Sequence, residues 1–219
     1  EIPKRDWSSD VCSSDLTARA VMLDSTPVRP KGSACLLAWG MRRALAAVVG
    51  LVLLGLAGLV YQTAWRDRAY RALLTRGDAA LRDEQTLPAI EAFSGAIALR
   101  PDSMLAHLRR GEAYERRGEL EEAVRDFRAA AERDRAASRP LEALGQAYYL
   151  AQQFDLAADA FKKAHDLDDR SALIDYKLAL AQYQAGHAEL ALGAADLALA
   201  IDADLADAHY LREIGRAHV

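Results

Sequence analysis

The amino-acid sequence predicts an all-α protein: a right-handed superhelical solenoid of helix-turn-helix repeats, preceded by one transmembrane helix. Three observations lead to this prediction. The chain is rich in Ala and Leu and has only 6 Pro among its 219 residues, which is typical of helical proteins. An uncharged apolar run lies in the N-terminal third, and a set of small and aromatic residues then recurs every 34 residues.

The charge and cysteine content argue against several classes of protein. The net charge is −4, and Lys and Arg are interspersed with Asp and Glu. Without a basic patch, we expect no nucleic-acid partner. The two cysteines, Cys12 and Cys35, lie outside the helical body, so no disulfide framework is expected to support the fold.

Both ends of the chain match the translation of one DNA oligonucleotide. Residues 213–219, EIGRAHV, can be encoded by GAG ATC GGA AGA GCA CAC GTC, the start of a widely used sequencing-library adapter. Its reverse complement, extended upstream, encodes DWSSDVCSSDL, residues 6–16. We therefore expect residues 1–16 and 213–219 to be adapter-derived. Different codons at residues 6–16 in the DNA would contradict this hypothesis.

The segment that follows the first adapter-like stretch has no recognisable pattern. Residues 17–40 lack periodicity, and we expect them to be unstructured or read-through sequence. The natural start is then Met22 or Met41. The natural chain is expected to continue beyond Arg212, so the repeat region would be incomplete.

Residues 41–65 predict an N-terminal transmembrane anchor. The run from residue 44 to residue 65 has no charge and is long enough to cross a bilayer as a helix. Tyr61 and Trp65 lie where an interfacial aromatic belt would be. A buried core helix and a cleaved signal peptide are the alternatives. The run is long for a signal peptide, and no Ala-x-Ala site follows it.

The charges on the two sides of this anchor favour opposite orientations. Arg42 and Arg43 on the short N-terminal tail favour a cytoplasmic N-terminus, which would place the repeats outside the cytoplasm, in the periplasm of a Gram-negative bacterium. Four arginines on the other side favour the reverse and leave a cytoplasmic location open: Arg66, Arg68, Arg71 and Arg76.

Four series of residues keep one 34-residue register after the anchor. They are Gly77, Gly111, Gly145 and Ala179; Ala89, Ala123, Ala157 and Ala191; Phe93, Phe127, Phe161 and Ala195; and Ala96, Ala130, Ala164 and Ala198. Each unit contains two stretches with helical spacing of apolar residues, joined by a short polar corner. Small residues let the two helices approach, and the Phe fills the gap beside them. A single unit cannot bury both faces, so neighbouring units must stack.

These residues resemble the tetratricopeptide repeat family. The third unit carries most of the family pattern: Leu141, Leu144, Gly145, Tyr148, Ala157, Phe161 and Ala164. The fourth departs from it, because Ala195 stands where Phe is expected. The repeat domain is predicted over residues 66–212, with units at about 70–103, 104–137, 138–171 and 172–205 and a partial unit from 206. Its last helix is expected to continue to Glu213 or beyond.

The resemblance implies which residues line the concave groove. In this family the first helix of each pair lines that groove. Carried over by offset, the groove positions are Leu74, Asp78, Leu108, Arg109, Glu112, Glu115, Glu142, Gln146, Tyr149, Tyr176, Leu180 and Tyr183. The three tyrosines favour peptide binding, since Tyr is enriched at interfaces. Members that grip a C-terminal carboxylate use a Lys/Asn/Arg set. Asp78, Glu112 and Gln146 stand in those places here, which disfavours acidic tails as ligands.

The sequence contains no catalytic or metal-binding motif that we can identify, so we expect no enzyme activity, no cofactor and no metal. His107 and His209 occupy equivalent repeat positions, which indicates packing. The predicted function is a membrane-anchored scaffold that binds a protein or peptide in its groove. The alternatives are the targeting or regulatory arm of a larger enzyme whose catalytic domain is missing, and a spacer or self-assembly unit. The complete gene would distinguish the first two.

Overall fold

The structure is a computed structural model that describes residues 32–218, with the side chains of residue 41 and of residues 44–217. Residues 1–31, which include the first predicted adapter-derived segment, lie outside the described residues. The chain divides into two units, one ending at Gly55 and one beginning at Leu56. The described part is helical, without strands. The helices are α1 (Gly32–Arg82), α2 (Thr86–Leu99), α3 (Met104–Arg117), α4 (Leu120–Arg133), α5 (Ser138–Leu150), α6 (Phe154–Leu167), α7 (Ala172–Gln184), α8 (Ala188–Ile201) and α9 (Ala206–His218).

The apolar run lies within α1. By length and composition, this is the one helix among the described residues that could cross a membrane. No residue of its apolar window is buried. Its large apolar side chains are exposed, from Leu45 through Leu54 to Trp65.

Successive helices form antiparallel pairs: α3 with α4, α5 with α6, and α7 with α8. Residues 70–82 of α1 pack on α2 through a buried cluster of Ala80, Leu81, Ala89 and Phe93. The α9 helix begins a fifth pair and packs on α8 through Ala208 and Leu211, both buried. It ends at His218, so the expected continuation past Glu213 is confirmed. The all-α fold predicted from the sequence is confirmed for the described residues.

The glycine of each of the first three pairs touches the ring of its phenylalanine. Phe93, Phe127 and Phe161 are fully buried. A Cβ atom added to Gly111 would lie 2.6 Å from the Phe127 Cε1 atom, and one added to Gly145 would lie 2.7 Å from the Phe161 Cε1 atom. The fourth pair has Ala179 and Ala195 instead, both fully buried. There the phenyl ring is absent where the glycine gains a methyl group, so a smaller pair of side chains avoids the steric overlap.

The turn inside each pair has a left-handed residue at one repeat position. Gly118 and Gly186 have φ values of 80° and 84°, while Glu84 and Gln152, at the same position of their units, both have φ of 59°. The next N–H group closes the helix end; for example, Gln153 donates to the Tyr148 carbonyl at 2.9 Å. This is the Schellman arrangement, which requires the left-handed residue. The register therefore dictates the backbone even where no glycine occurs.

Candidate functional site

The groove face is formed by the first helices of the pairs: residues 70–82 of α1, then α3, α5 and α7. Eleven of the twelve predicted groove residues lie on this face and are half-buried. Half-burial is what a groove requires, because such side chains are held in place by neighbours and still reach solvent. Partner binding itself stays a prediction for these residues.

Leu108 is the exception among the predicted groove residues. Its side chain is 1% exposed and packs in the core that contains Ala123 and Phe127. It therefore cannot contact a partner. At the same position of the next unit, Glu142 is half-buried, because a carboxylate stays at the surface whereas a leucine gains free energy by turning inward.

A cleft of about 140 Å³ opens on the groove face between α5 and α7. Its walls are Gln146, Tyr149, Phe161, Tyr176, Lys177 and Leu180. The Tyr149 ring is held from behind by Phe154, edge to face, with 5.4 Å between ring centroids. Burial raises the pKa of the Tyr176 hydroxyl, so this group stays neutral and able to donate a hydrogen bond.

Four of the six residues that line this cleft were predicted from the sequence as groove residues: Gln146, Tyr149, Tyr176 and Leu180. The other two were not. Phe161 was assigned to the core alone. Lys177 was overlooked, although it stands at the repeat position of Arg109, 68 residues earlier, which was predicted as a groove residue. Comparing equivalent positions across units would have identified Lys177.

Ion pairs join neighbouring helices along the groove face. Arg109 lies 3.5 Å from Asp78 and 2.8 Å from Glu112. Arg139 donates to Glu112 at 3.1 Å. Farther along the face, Lys177 on α7 donates to Glu142 on α5 at 2.7 Å. These pairs are partly exposed, so each contributes little stability, about 0.2–1 kcal/mol. Their main effect is that Arg109, Arg139 and Lys177 each already have a carboxylate partner.

Glu115 differs from the other groove carboxylates. It forms no ion pair within the described part of the chain, although Arg116 is its neighbour. Arg116 instead donates to the Leu81 carbonyl at 2.9 Å. Burial raises the pKa of the Glu115 carboxyl group, and the nearby charge of Glu112 raises it further, while the charges of Lys177 and Arg116 oppose this shift without cancelling it. The groove face therefore holds one partly desolvated carboxylate without a salt-bridge partner.

The chemistry of the groove face changes along the solenoid. One repeat position holds Asp78, Glu112, Gln146 and Leu180 in successive units. Another holds Glu115, Tyr149 and Tyr183 in the second to fourth units, where the first unit has the buried Leu81. The face is thus mostly acidic on the second unit and aromatic and apolar on the third and fourth.

A buried polar cluster between α3 and α4 has a structural role. Arg110 donates two hydrogen bonds to Asp126, at 2.7 and 2.8 Å, and His107 lies 3.1 Å from the same carboxylate. His107 Nε2 also lies 3.2 Å from the Pro101 carbonyl oxygen. His209 makes the equivalent contact with the Ala203 carbonyl at 2.8 Å. The packing role expected for the two histidines fits this repeated contact.

A larger cleft, of about 810 Å³, lies between α4 and α6, away from the groove face. It is the larger opening, but several of its charged walls already have partners. Arg125 donates to Glu122 at 2.6 Å, and Arg128 donates to the Tyr148 hydroxyl at 2.7 Å. We therefore regard the smaller, aromatic cleft as the better candidate site. Among the described residues, no group of three or more His, Cys, Asp or Glu side chains could hold a metal ion.

Comparisons with known proteins agree with this architecture. The tetratricopeptide repeat family model matches residues 74–140. A crystal structure of MamA protein has a TM-score of 0.65 and 20% identity, over 69% of this chain and 83% of that chain. A structure of YrrB, described as a TPR protein with an unusual peptide-binding site, has a TM-score of 0.59 and 18% identity, over 67% and 75% of the two chains.

A third similar structure is that of the APC/C hetero-tetramer Cut9-Hcn1. It has a TM-score of 0.58 and 20% identity, over 67% of this chain and 30% of that chain. A search of curated protein sequences finds no match. Identities this low establish the fold alone. Residues 74–140 match the tetratricopeptide repeat family model, and the described helices have the fold of tetratricopeptide-repeat solenoids.

Proposed function

We propose that this protein is a membrane-anchored scaffold that binds a partner through an extended peptide or a helix laid along the groove face. The observation that carries this proposal is the cleft formed by Tyr149, Tyr176 and Leu180. Two tyrosines and a leucine, half-buried and fixed by packing, present apolar area at little cost in conformational entropy. The described fold is typical of protein-interaction scaffolds, and the similar YrrB structure is described as having a peptide-binding site.

The membrane part of the proposal depends on α1. Residues 44–65 would form a single-pass anchor, with the repeat domain in the periplasm and the cytoplasmic side as the alternative. Reporter fusions after Arg212 would test this in bacterial cells. An active alkaline phosphatase fusion together with a non-fluorescent green fluorescent protein fusion would support a periplasmic repeat domain. An inactive phosphatase fusion together with a fluorescent protein fusion would support a cytoplasmic one. Recovery of the chain in the soluble fraction would contradict the anchor.

The groove proposal can be tested by capture of partners from membranes solubilised in detergent. The test variant carries Tyr149→Ala, Tyr176→Ala and Tyr183→Ala. The matched control carries Leu87→Ala, Leu190→Ala and Leu197→Ala, which remove exposed apolar side chains from the second helices. We expect the control to recover the same partner as the unmodified protein and the tyrosine variant to lose it. Equal recovery by both variants, with unchanged helix content, would contradict groove binding.

A further inference from the structure

We propose that the groove ligand is a cationic segment with one apolar side chain: an aromatic or leucine side chain enters the cleft, and a neighbouring Lys or Arg binds Glu115. This inference rests on the proposed function and specifies the chemistry of the partner. It follows from the size of the cleft, from the pairing of the groove charges and from the distance between the two features.

The cleft has the size of one side chain. A protein cavity of roughly 150 Å³ admits a benzene molecule, and the cleft measures about 140 Å³. Tyr149, Phe161 and Leu180 supply apolar walls. The one charged wall, Lys177, donates to Glu142 at 2.7 Å, so its charge is neutralised at the rim. An apolar side chain therefore fits this cleft better than an acidic one.

The unpaired groove charge is negative. Arg109, Arg139 and Lys177 each have a carboxylate partner, so an acidic ligand would have to displace an existing ion pair. Glu115 has no such partner in the described chain. Glu112 lies one turn away on α3, and like charges at this spacing repel each other, although Arg109 and Arg139 pair with Glu112 and reduce the repulsion. A ligand cation beside Glu115 would relieve this repulsion and pair the carboxylate at once.

Glu115 and the cleft lie close enough for one short peptide to reach both. Glu115 and Tyr149 occupy the same repeat position on neighbouring first helices, α3 and α5, which are in contact. Packed helices lie about 8–10 Å apart, and an extended peptide advances about 3.3 Å per residue. The Lys or Arg should therefore lie about two to four positions from the apolar residue in the ligand.

Synthetic peptides would test the proposal against the full chain in nonionic detergent micelles. The probe is a fluorescein-labelled Gly/Ser peptide with one Phe and one Lys about three positions apart. Matched probes replace Lys with Glu or Phe with Ser. By fluorescence anisotropy, we expect the Lys/Phe probe to bind at least about fivefold more tightly than either matched probe. Its affinity should fall at high salt.

Two variants assign this preference to Glu115. In the Glu115→Gln variant, the affinity for the Lys probe should exceed that for the Glu probe by less than about twofold. The control is Glu121→Gln, which removes an exposed carboxylate on α4 and should leave this affinity ratio unchanged. Equal or tighter binding of the Glu probe, an unchanged ratio in Glu115→Gln, or no binding of the Lys/Phe probe would each overturn the inference. Failure of the proposed function is a separate result: in the capture experiment, the tyrosine variant would recover as much partner as the unmodified protein.

Discussion

Replacing Gly111 by alanine tests whether the glycine–phenylalanine contact sets the helix spacing. The added Cβ atom would lie 2.6 and 2.7 Å from two ring atoms of Phe127, which is fully buried and cannot move aside. Overpacking of this kind costs about 1–3 kcal/mol. Alanine also favours a helix over glycine by about 0.5–1 kcal/mol. We therefore expect Gly111→Ala to lower the free energy of unfolding by about 0.5–2 kcal/mol.

The matched control is Gly193→Ala on α8. An added Cβ atom there meets nothing within 4 Å, so only the helix preference remains. We expect the free energy of unfolding of this variant to rise by about 0.5–1 kcal/mol. The difference between the two variants, about 1–3 kcal/mol, then isolates the steric cost at Gly111. Urea unfolding of the full chain in nonionic detergent, followed by far-UV circular dichroism, measures both. Equal effects at the two sites would refute the packing argument.

A double-mutant cycle sharpens the same test. Phe127→Ala alone should cost about 3–5 kcal/mol, because it empties a buried site. In that background, Gly111→Ala should become stabilising, since the ring that it overlapped is gone. The fourth repeat already has this combination in Ala179 and Ala195. Additive effects of the two substitutions would show that Gly111 and Phe127 do not interact as described.

Three further predictions concern turns, buried charge and pH. Gln152→Gly should stabilise the fold by about 1 kcal/mol, because it removes a side chain from a left-handed position. Gly118→Ala should destabilise the fold by a similar amount, because it adds a side chain at the equivalent position. Thermal melts of both variants measure these effects. Arg110→Met should cost about 3 kcal/mol in urea unfolding, since Asp126 is left buried without its cation; a loss below about 0.5 kcal/mol would contradict a structural role. Burial raises the pKa of Asp175, so the folded state resists its ionisation. His165, whose Nδ1 lies 2.6 Å from this carboxylate, opposes the shift without reversing it. The contribution of Asp175 to stability should therefore be fully present below the ordinary pKa of about 4 and be lost as pH rises through the raised value. Melting temperatures between about pH 4 and pH 7 should show a shallower fall in Asp175→Asn, and parallel curves would count against this reasoning.

The helix pairs could be predicted because the packing that holds them repeats. Gly145 and Phe161 meet in the same way as Gly111 and Phe127, and a periodic requirement leaves a periodic trace in the sequence. The turns were only partly predictable. Gly118 and Gly186 indicated tight corners, whereas Gln152 adopts the same left-handed backbone with no glycine. There the geometry is imposed by the helices on either side.

The candidate site was less predictable, because its contacts do not repeat. Lys177 reaches Glu142 across 35 residues, and no other unit has this pair. Asp126 meets Arg110 across 16 residues, while Ala160 occupies the Asp126 position in the next unit. Leu108 was assigned to the groove by offset, but its apolar side chain turns into the core. Offsets give the position of a residue on a helix, and the local chemistry decides which way its side chain points.

This difference between repeating and non-repeating positions also bears on function. Packing between units constrains the repeat positions of Gly145, Ala157 and Phe161 to small residues or a ring, whichever partner is bound. The position that holds Asp78, Glu112, Gln146 and Leu180 is under no such constraint, since the fold accepts a carboxylate, an amide and an alkyl group there. The order of these groups along the groove is therefore not required by folding. A ligand that pairs a cation with an apolar side chain gives this order a physical reason.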